Sequence, residues 1–197
     1  MDRILINGTP QNKEIDQSER FEMFIDRLRR EHSNKSQVVS KILVDDSELT
    51  IDREKEISSN LVAQFKKVEI ETSPVEQVTQ ETIELLTALA SDLAQYSHAL
   101  GKRGFFDAST EERMKLIDGL DTFVAGVRSV RSVYKTGADR ELQLLQVDLF
   151  SIMEDVFVAI EEKQKEYLEE LLTLHIPNNL AEWHSKGLVK IPQFERR

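Results

Sequence analysis

Thr82, Leu86, Leu89, Leu93, Tyr96 and Leu100 follow one another at alternating spacings of four and three. On a helix with 3.6 residues per turn such positions form one line along the surface. A second seam repeats the spacing: Leu116, Leu120, Phe123, Val127, Val130 and Tyr134. A third run carries two adjoining stripes. One is Leu142, Leu145, Leu149, Ile152 and Val156; the other is Phe150, Met153, Phe157 and Ile160. Successive seams of this kind bury their apolar lines only by packing helix against helix. The doubly striped third run is wide enough for contact on two sides.

Start and stop signals bound these runs. Ser73-Pro74-Val75-Glu76 offers a capping serine, a proline for the first helical position and a glutamate three residues after the serine. Gly101 and Gly104 frame a break. Ser109 and Glu112 form a second capping pair, Gly137 closes the second helix, and Thr136 with Asp139 can cap the third. The expected helices run over about 73–100, from Ser109 to Gly137, and from about Asp139 to Leu174. Pro177-Asn178-Asn179 is read as the end of the third. A short helix holding Trp183 over Leu180–Lys186 and a tail from Gly187 follow. Short connections favour an antiparallel bundle of three or four helices.

Residues before Ser73 read differently. Arg3–Gly8 is an apolar run ending in Asn7-Gly8, a strong hairpin signal, with Gln11–Ile15 as a return strand. Asp16 with Glu19 is read as a capping box. Phe21, Phe24, Ile25 and Leu28 give the helix one apolar face, and Arg27, Arg29 and Arg30 suit its negative end. Val38–Val44 is rich in β-branched residues and stops at Asp45-Asp46-Ser47, with Leu49 and Ile51 as a short partner. Lys66–Thr72 alternates apolar and polar residues as a half-buried strand does.

The fold class expected is therefore α+β and mostly helical. A small α+β domain over 1–73 precedes a long-helix bundle over 74–176 and a short helix and tail over 177–197. The N-terminal element order resembles the β-grasp (ubiquitin-like) arrangement. The resemblance is one of element order. The di-glycine end of ubiquitin-like carriers is absent at this boundary, so no modifier or sulfur-carrier activity is carried over. Pro74 restricts Ser73 as well as itself, which leads us to expect a restricted exit from the last strand into the bundle.

Charge and composition narrow the function. The net charge is −10. Most of the acidic excess falls after Ser73. An acidic chain gains nothing from counterion release on phosphates, so no nucleic acid is expected as partner, and a basic protein surface is favoured. There is no 18-residue apolar run and no signal-peptide pattern, so no membrane partner is expected. Cysteine is absent, which fits a reducing compartment and excludes thiolate sites, so the expected location is cytoplasmic.

No chemical motif emerges. His32, His98, His175 and His184 form neither Glu-x-x-His nor His-x-x-x-His, so no metal or other cofactor is expected. Nucleophile elbows and phosphate-binding glycine loops are absent. What remains are candidate partner-binding residues. Asp148, Asp155 and Glu162, with Glu141 and Glu169, recur every seventh residue as an acidic stripe. Arg128, Arg131 and Lys135 are spaced to share a face. Phe105 and Phe106 are adjacent and do not easily both point inward, and Phe194 lies in the partly apolar tail. Each has a plainer reading as solvated surface, ion pairing or loop packing.

The expectation is a non-enzymatic protein–protein interaction module: an adaptor, scaffold or chaperone-like bundle. In general character it is similar to the small acidic helical chaperones of bacterial secretion and flagellar export, an analogy of class. Two alternatives stay open. One is self-assembly, as a homodimer through the helical part. The other is a small-molecule or enzymatic cleft drawing on Tyr96, His98, Arg103 and Arg131.

Overall fold

A computed structural model describes residues 4–11, 18–33 and 36–195. The protein is α+β and mostly helical, with one five-stranded mixed sheet. Its contacts divide it into two compact units, Met1–Val78 and Thr79–Arg197.

The first unit contains β1 (Ile4–Ile6), β2 (Thr9–Pro10), α1 (Phe21–Ser33), β3 (Gln37–Val44), β4 (Ser47–Glu48), α2 (Ile51–Ile57) and β5 (Val68–Pro74). The sheet order is β2-β1-β5-β3-β4. β1 and β5 are parallel, and every other pair is antiparallel. Asn7 and Gly8 both take positive φ, as a two-residue hairpin turn requires, so the Asn-Gly signal holds. The return strand starts earlier than expected, at Thr9–Pro10; residues 12–15, with Asp16 of the expected capping box, lie outside the described residues. Glu19 instead accepts two hydrogen bonds from Arg27, at 2.8 and 3.1 Å. The first amides of α1 donate to backbone carbonyls: Phe21 to Asn60 and Glu22 to Ser58.

Phe21, Phe24, Ile25 and Leu28 of α1 are buried with Ile4, Ile42, Val44, Val68 and Ile70 of the sheet. Asp45 and Asp46 turn β3 into β4 with positive φ. The Asp45 carboxylate accepts from the amides of Lys66 and Lys67 at 2.7 and 2.9 Å. The expected strand partner at Leu49 and Ile51 is corrected: β4 is Ser47–Glu48, and Ile51 opens α2, capped by Thr50. That helix buries no side chain, so it leaves no periodic signal. Pro74 is still in β5, and the next helix starts at Val75. The Ser73 hydroxyl donates to Ser40 at 3.0 Å.

α3 (Val75–Arg103) begins in the first unit and continues from Thr79 in the second, which goes on through α4 (Thr110–Val133), α5 (Arg140–Glu161), α6 (Lys165–Glu170), α7 (Ile176–Glu182) and α8 (Leu188–Lys190). The first two seams are buried largely as spaced, from Leu86, Leu93 and Leu100 on α3 to Leu116, Leu120, Phe123, Val127 and Val130 on α4. Gly119 faces Leu93, and Gly126 faces Leu86; a Cβ at either glycine would lie 2.5 or 2.6 Å from a leucine methyl. The leucines are seven apart, and so are the glycines, in opposite order. Each leucine therefore fills a glycine notch, and α3 and α4 run antiparallel there. The Ser109–Glu112 box and the Asp139 cap form as expected, while the Thr136 hydroxyl accepts from Arg131 instead of capping α5. The Ser109 hydroxyl accepts from the Glu112 amide and Glu112 accepts from the Ser109 amide, while Asp139 accepts from the Leu142 amide at 2.9 Å.

Two expectations fail. The third helix stops at Glu161. Lys163 adopts φ +56°, and the amides of Lys163 and Gln164 bond back to Ile160 and Ala159. That is a Schellman closure with lysine where glycine is usual, so no glycine announces it. Pro177 does not end a helix either; it sits at the second position of α7, after a π-helical stretch over Leu171–His175. A proline cannot donate, so the carbonyls four and five residues before it lose a donor. Those carbonyls are Thr173 and Leu172. They bond to α3 instead: Ser97 Oγ donates to Leu172 O at 2.8 Å, and His98 Nδ1 bonds Thr173 O at 3.0 Å. Gly101 makes the close approach possible, since a Cβ there would lie 2.9 Å from the Leu172 Cβ.

Trp183 is buried against Phe123, edge to face at 6.1 Å, and Gly187 leaves room for its ring. The tail is packed as well: Lys135 donates its backbone amide to Glu195 O, at 2.8 Å, and its side chain bonds the Glu195 carboxylate.

Two stability predictions follow from these closures. Lys163→Gly relieves a left-handed lysine and is expected to raise unfolding stability by about 0.5–1 kcal/mol. Ser97→Ala leaves a buried carbonyl without its donor and is expected to cost about 1–3 kcal/mol. Denaturant midpoints of the two variants check both signs.

Candidate functional site

The sequence candidates form three sets: three phenylalanines, a basic trio and an acidic stripe. Phe105 is buried, edge to face with Phe106 at 5.8 Å, and Phe106 packs half-buried on the same core. Phe194 also packs against that core. None of the three is a free anchor.

The basic trio is dispersed. Lys135 lies beyond the end of α4 and pairs with Glu195 at 2.8 Å. Arg131 is partly buried and tethers the α4–α5 turn. It donates to Thr136 Oγ1, to the Leu142 carbonyl and to the Gln146 side chain. Burial in this turn lowers its pKa from the ordinary arginine value, partly offset by Asp139. Arg128 alone is exposed on α4. Tyr96, His98, Arg103 and Arg131 do not converge. Tyr96 and Arg103 both bond Glu112, His98 bonds Thr173, and Arg131 serves its own turn. Among the described residues no group of three or more side chains is placed to hold a metal ion, and no helix is long and apolar enough to cross a membrane.

The acidic stripe divides by function. Glu141 pairs with Lys190 at 2.7 Å, and Glu169 lies beyond the Lys163 break, 3.8 Å from Lys102. Glu162 caps α5 and accepts from the Gln164 side chain. Burial first, and then the neighbouring Asp155 carboxylate, raise the Tyr167 pKa from its ordinary value. Asp148, Asp155 and Glu162 have no described lysine or arginine in salt-bridge range, and neither do Glu154 and Glu161. Between Glu141 and Glu162 the sequence contains no basic residue.

Beside these carboxylates α5 exposes four large apolar side chains, of which the two stripes include only Phe157. Leu144, Val147, Phe157 and Val158 are 51, 60, 46 and 47% exposed. Leu142, Leu145, Leu149, Val156 and Ala159 fill the opposite face and are buried. The missed signal was present: apolar residues occupy all sides of this helix, more than one buried face needs.

The N-terminal end of α5 is tied by ion pairs. Lys190 reaches Asp139 at 2.8 Å as well as Glu141. Lys190 first, and then the Leu142 amide, hold the Asp139 carboxyl below the usual carboxylate range, and Asp139 first, then Glu141, raises the Lys190 ammonium. A carboxylate depressed in the folded state stabilises it fully above the ordinary carboxylate pKa, and that contribution is lost as pH falls through the native value. Asp139→Asn keeps a capping side chain but cannot titrate. Its stability is expected to fall less steeply than wild type between about pH 5 and 3. Urea midpoints across that range check this, and parallel curves would contradict it. Searches against protein-family models, curated proteins and solved structures found no match to this chain.

Proposed function

We propose that this protein is a non-enzymatic interaction module, an adaptor, scaffold or chaperone-like protein, that presents the outer face of α5 to another protein. The observation that carries this reading is the row of exposed Leu144, Val147 and Val158 on a helix whose opposite face is fully buried. An apolar row held in water on a well-packed helix is costly to keep, and a partner that covers it recovers that cost. The adjoining carboxylates favour a partner with a basic surface. The same reading takes the first unit as a β-grasp-like head, supported by the central parallel β1–β5 pair and by α1 between β2 and β3. It takes the second as an antiparallel helical bundle, supported by the Leu86–Gly126 and Leu93–Gly119 register.

Affinity isolation of the full chain from native cells, in parallel with a Val147→Lys, Val158→Lys variant, tests the proposal. Both substitutions lie on exposed positions and should leave thermal stability within about 0.5 kcal/mol of wild type. A stoichiometric protein recovered by wild type and lost by the variant is the expected result. Recovery of no stoichiometric protein, or equal recovery by both chains, would overturn it.

A further inference from the structure

We infer that the outer face of α5 is a helix-docking seam for a different protein that brings lysine or arginine to Glu154 and Glu161; this rests on the interaction-module reading above. Leu144, Val147, Ser151, Glu154, Val158 and Glu161 succeed one another at spacings of three, four, three, four and three, and all six are exposed. That alternation is the geometry by which one helix receives another along its length. The row spans about 26 Å at 1.5 Å per residue, enough for roughly two and a half heptads of a partner helix. Phe157 forms a rim beside it.

The charge pattern selects the occupant. A second copy of this chain docks poorly on such a row. In parallel it would set Glu154 against Glu154 and Glu161 against Glu161. In antiparallel register about Ser151 it would press Glu154 onto Val147. Either arrangement desolvates carboxylates without a counter-charge, because α5 has no lysine or arginine between Glu141 and Glu162. A helix with aliphatic residues facing Leu144, Val147 and Val158, and cations facing Glu154 and Glu161, covers the apolar row and pairs both carboxylates. The uncompensated Asp148 and Asp155 on the flank add long-range attraction of the same sign.

The test uses the full chain and two synthetic amphipathic peptides, each about three heptads long. Both carry leucine at the seam positions. One carries lysine at the flanking positions, and its twin carries glutamate there. Binding is read by fluorescence anisotropy, and the oligomeric state of the chain by sedimentation. The basic peptide is expected to bind at least roughly tenfold more tightly than its acidic twin, with the preference shrinking as salt rises. Glu154→Lys with Glu161→Lys should reverse the preference, and Val147→Lys should weaken the basic peptide by roughly tenfold or more. Equal binding of both peptides, or a preference untouched by the Glu154→Lys and Glu161→Lys exchange, would overturn the inference. So would a dimer of the chain that Val147→Lys disperses, although that result would leave the α5 face standing as an interaction surface. The wild-type comparison of the two peptides needs no variant, so a misfolded variant does not blunt the test.

Discussion

The helical unit depends on how Pro177 is accommodated. A proline in a helix withholds one donor and crowds the preceding turn. Here the preceding turn widens into a π-helical stretch, and the freed carbonyls of Leu172 and Thr173 turn to Ser97 and His98 on α3. Gly101, one turn on, lets the two backbones meet. This joint lets the chain from Lys165 to Gln193 continue as one helical arm where a break would otherwise fall. The arm in turn fixes α5. Asn179 donates to the Leu145 carbonyl, Trp183 fills the core beside Phe123, and Lys190 clasps Asp139 and Glu141 at the α5 start.

The consequence for function is geometric. With the inner face of α5 buried and its N-terminal end tied by ion pairs and a cap, the outward row is displayed on a fixed support. A preorganised helix loses little conformational entropy when a partner covers it. In the proposed docking the carboxylates along the row would act on selectivity more than on gross affinity, since exposed charges contribute little individually but discriminate strongly against like charge.

Much of the fold was legible because it rests on local signals. Asn7-Gly8, the Ser109–Glu112 box and the Asp139 cap are short-range chemistry, and each performs as its residue types imply. The unread parts depend on distant partners. Nothing near Pro177 reveals that Ser97 and His98, more than seventy residues earlier, will take its orphaned carbonyls. Lys163 closes α5 without the glycine that ordinarily marks such a turn. Gly119 and Gly126 look like helix weaknesses until Leu93 and Leu86 are seen to fill them. The acidic repeat was visible in sequence, yet two of its members, Glu141 and Glu169, are spent on ion pairs. Arg131 likewise reads as surface charge by spacing but is drawn into its own turn by neutral acceptors.

The central claim is that the outer face of α5 is the working surface. Methyl-resolved NMR of the full chain, titrated with its isolated partner, tests it most directly. The claim requires the methyl resonances of Leu144, Val147 and Val158 to shift while those of Leu142, Leu149 and Val156, on the buried face of the same helix, change least. Shifts centred on other methyl groups, with Val147 and Val158 unmoved, would contradict it.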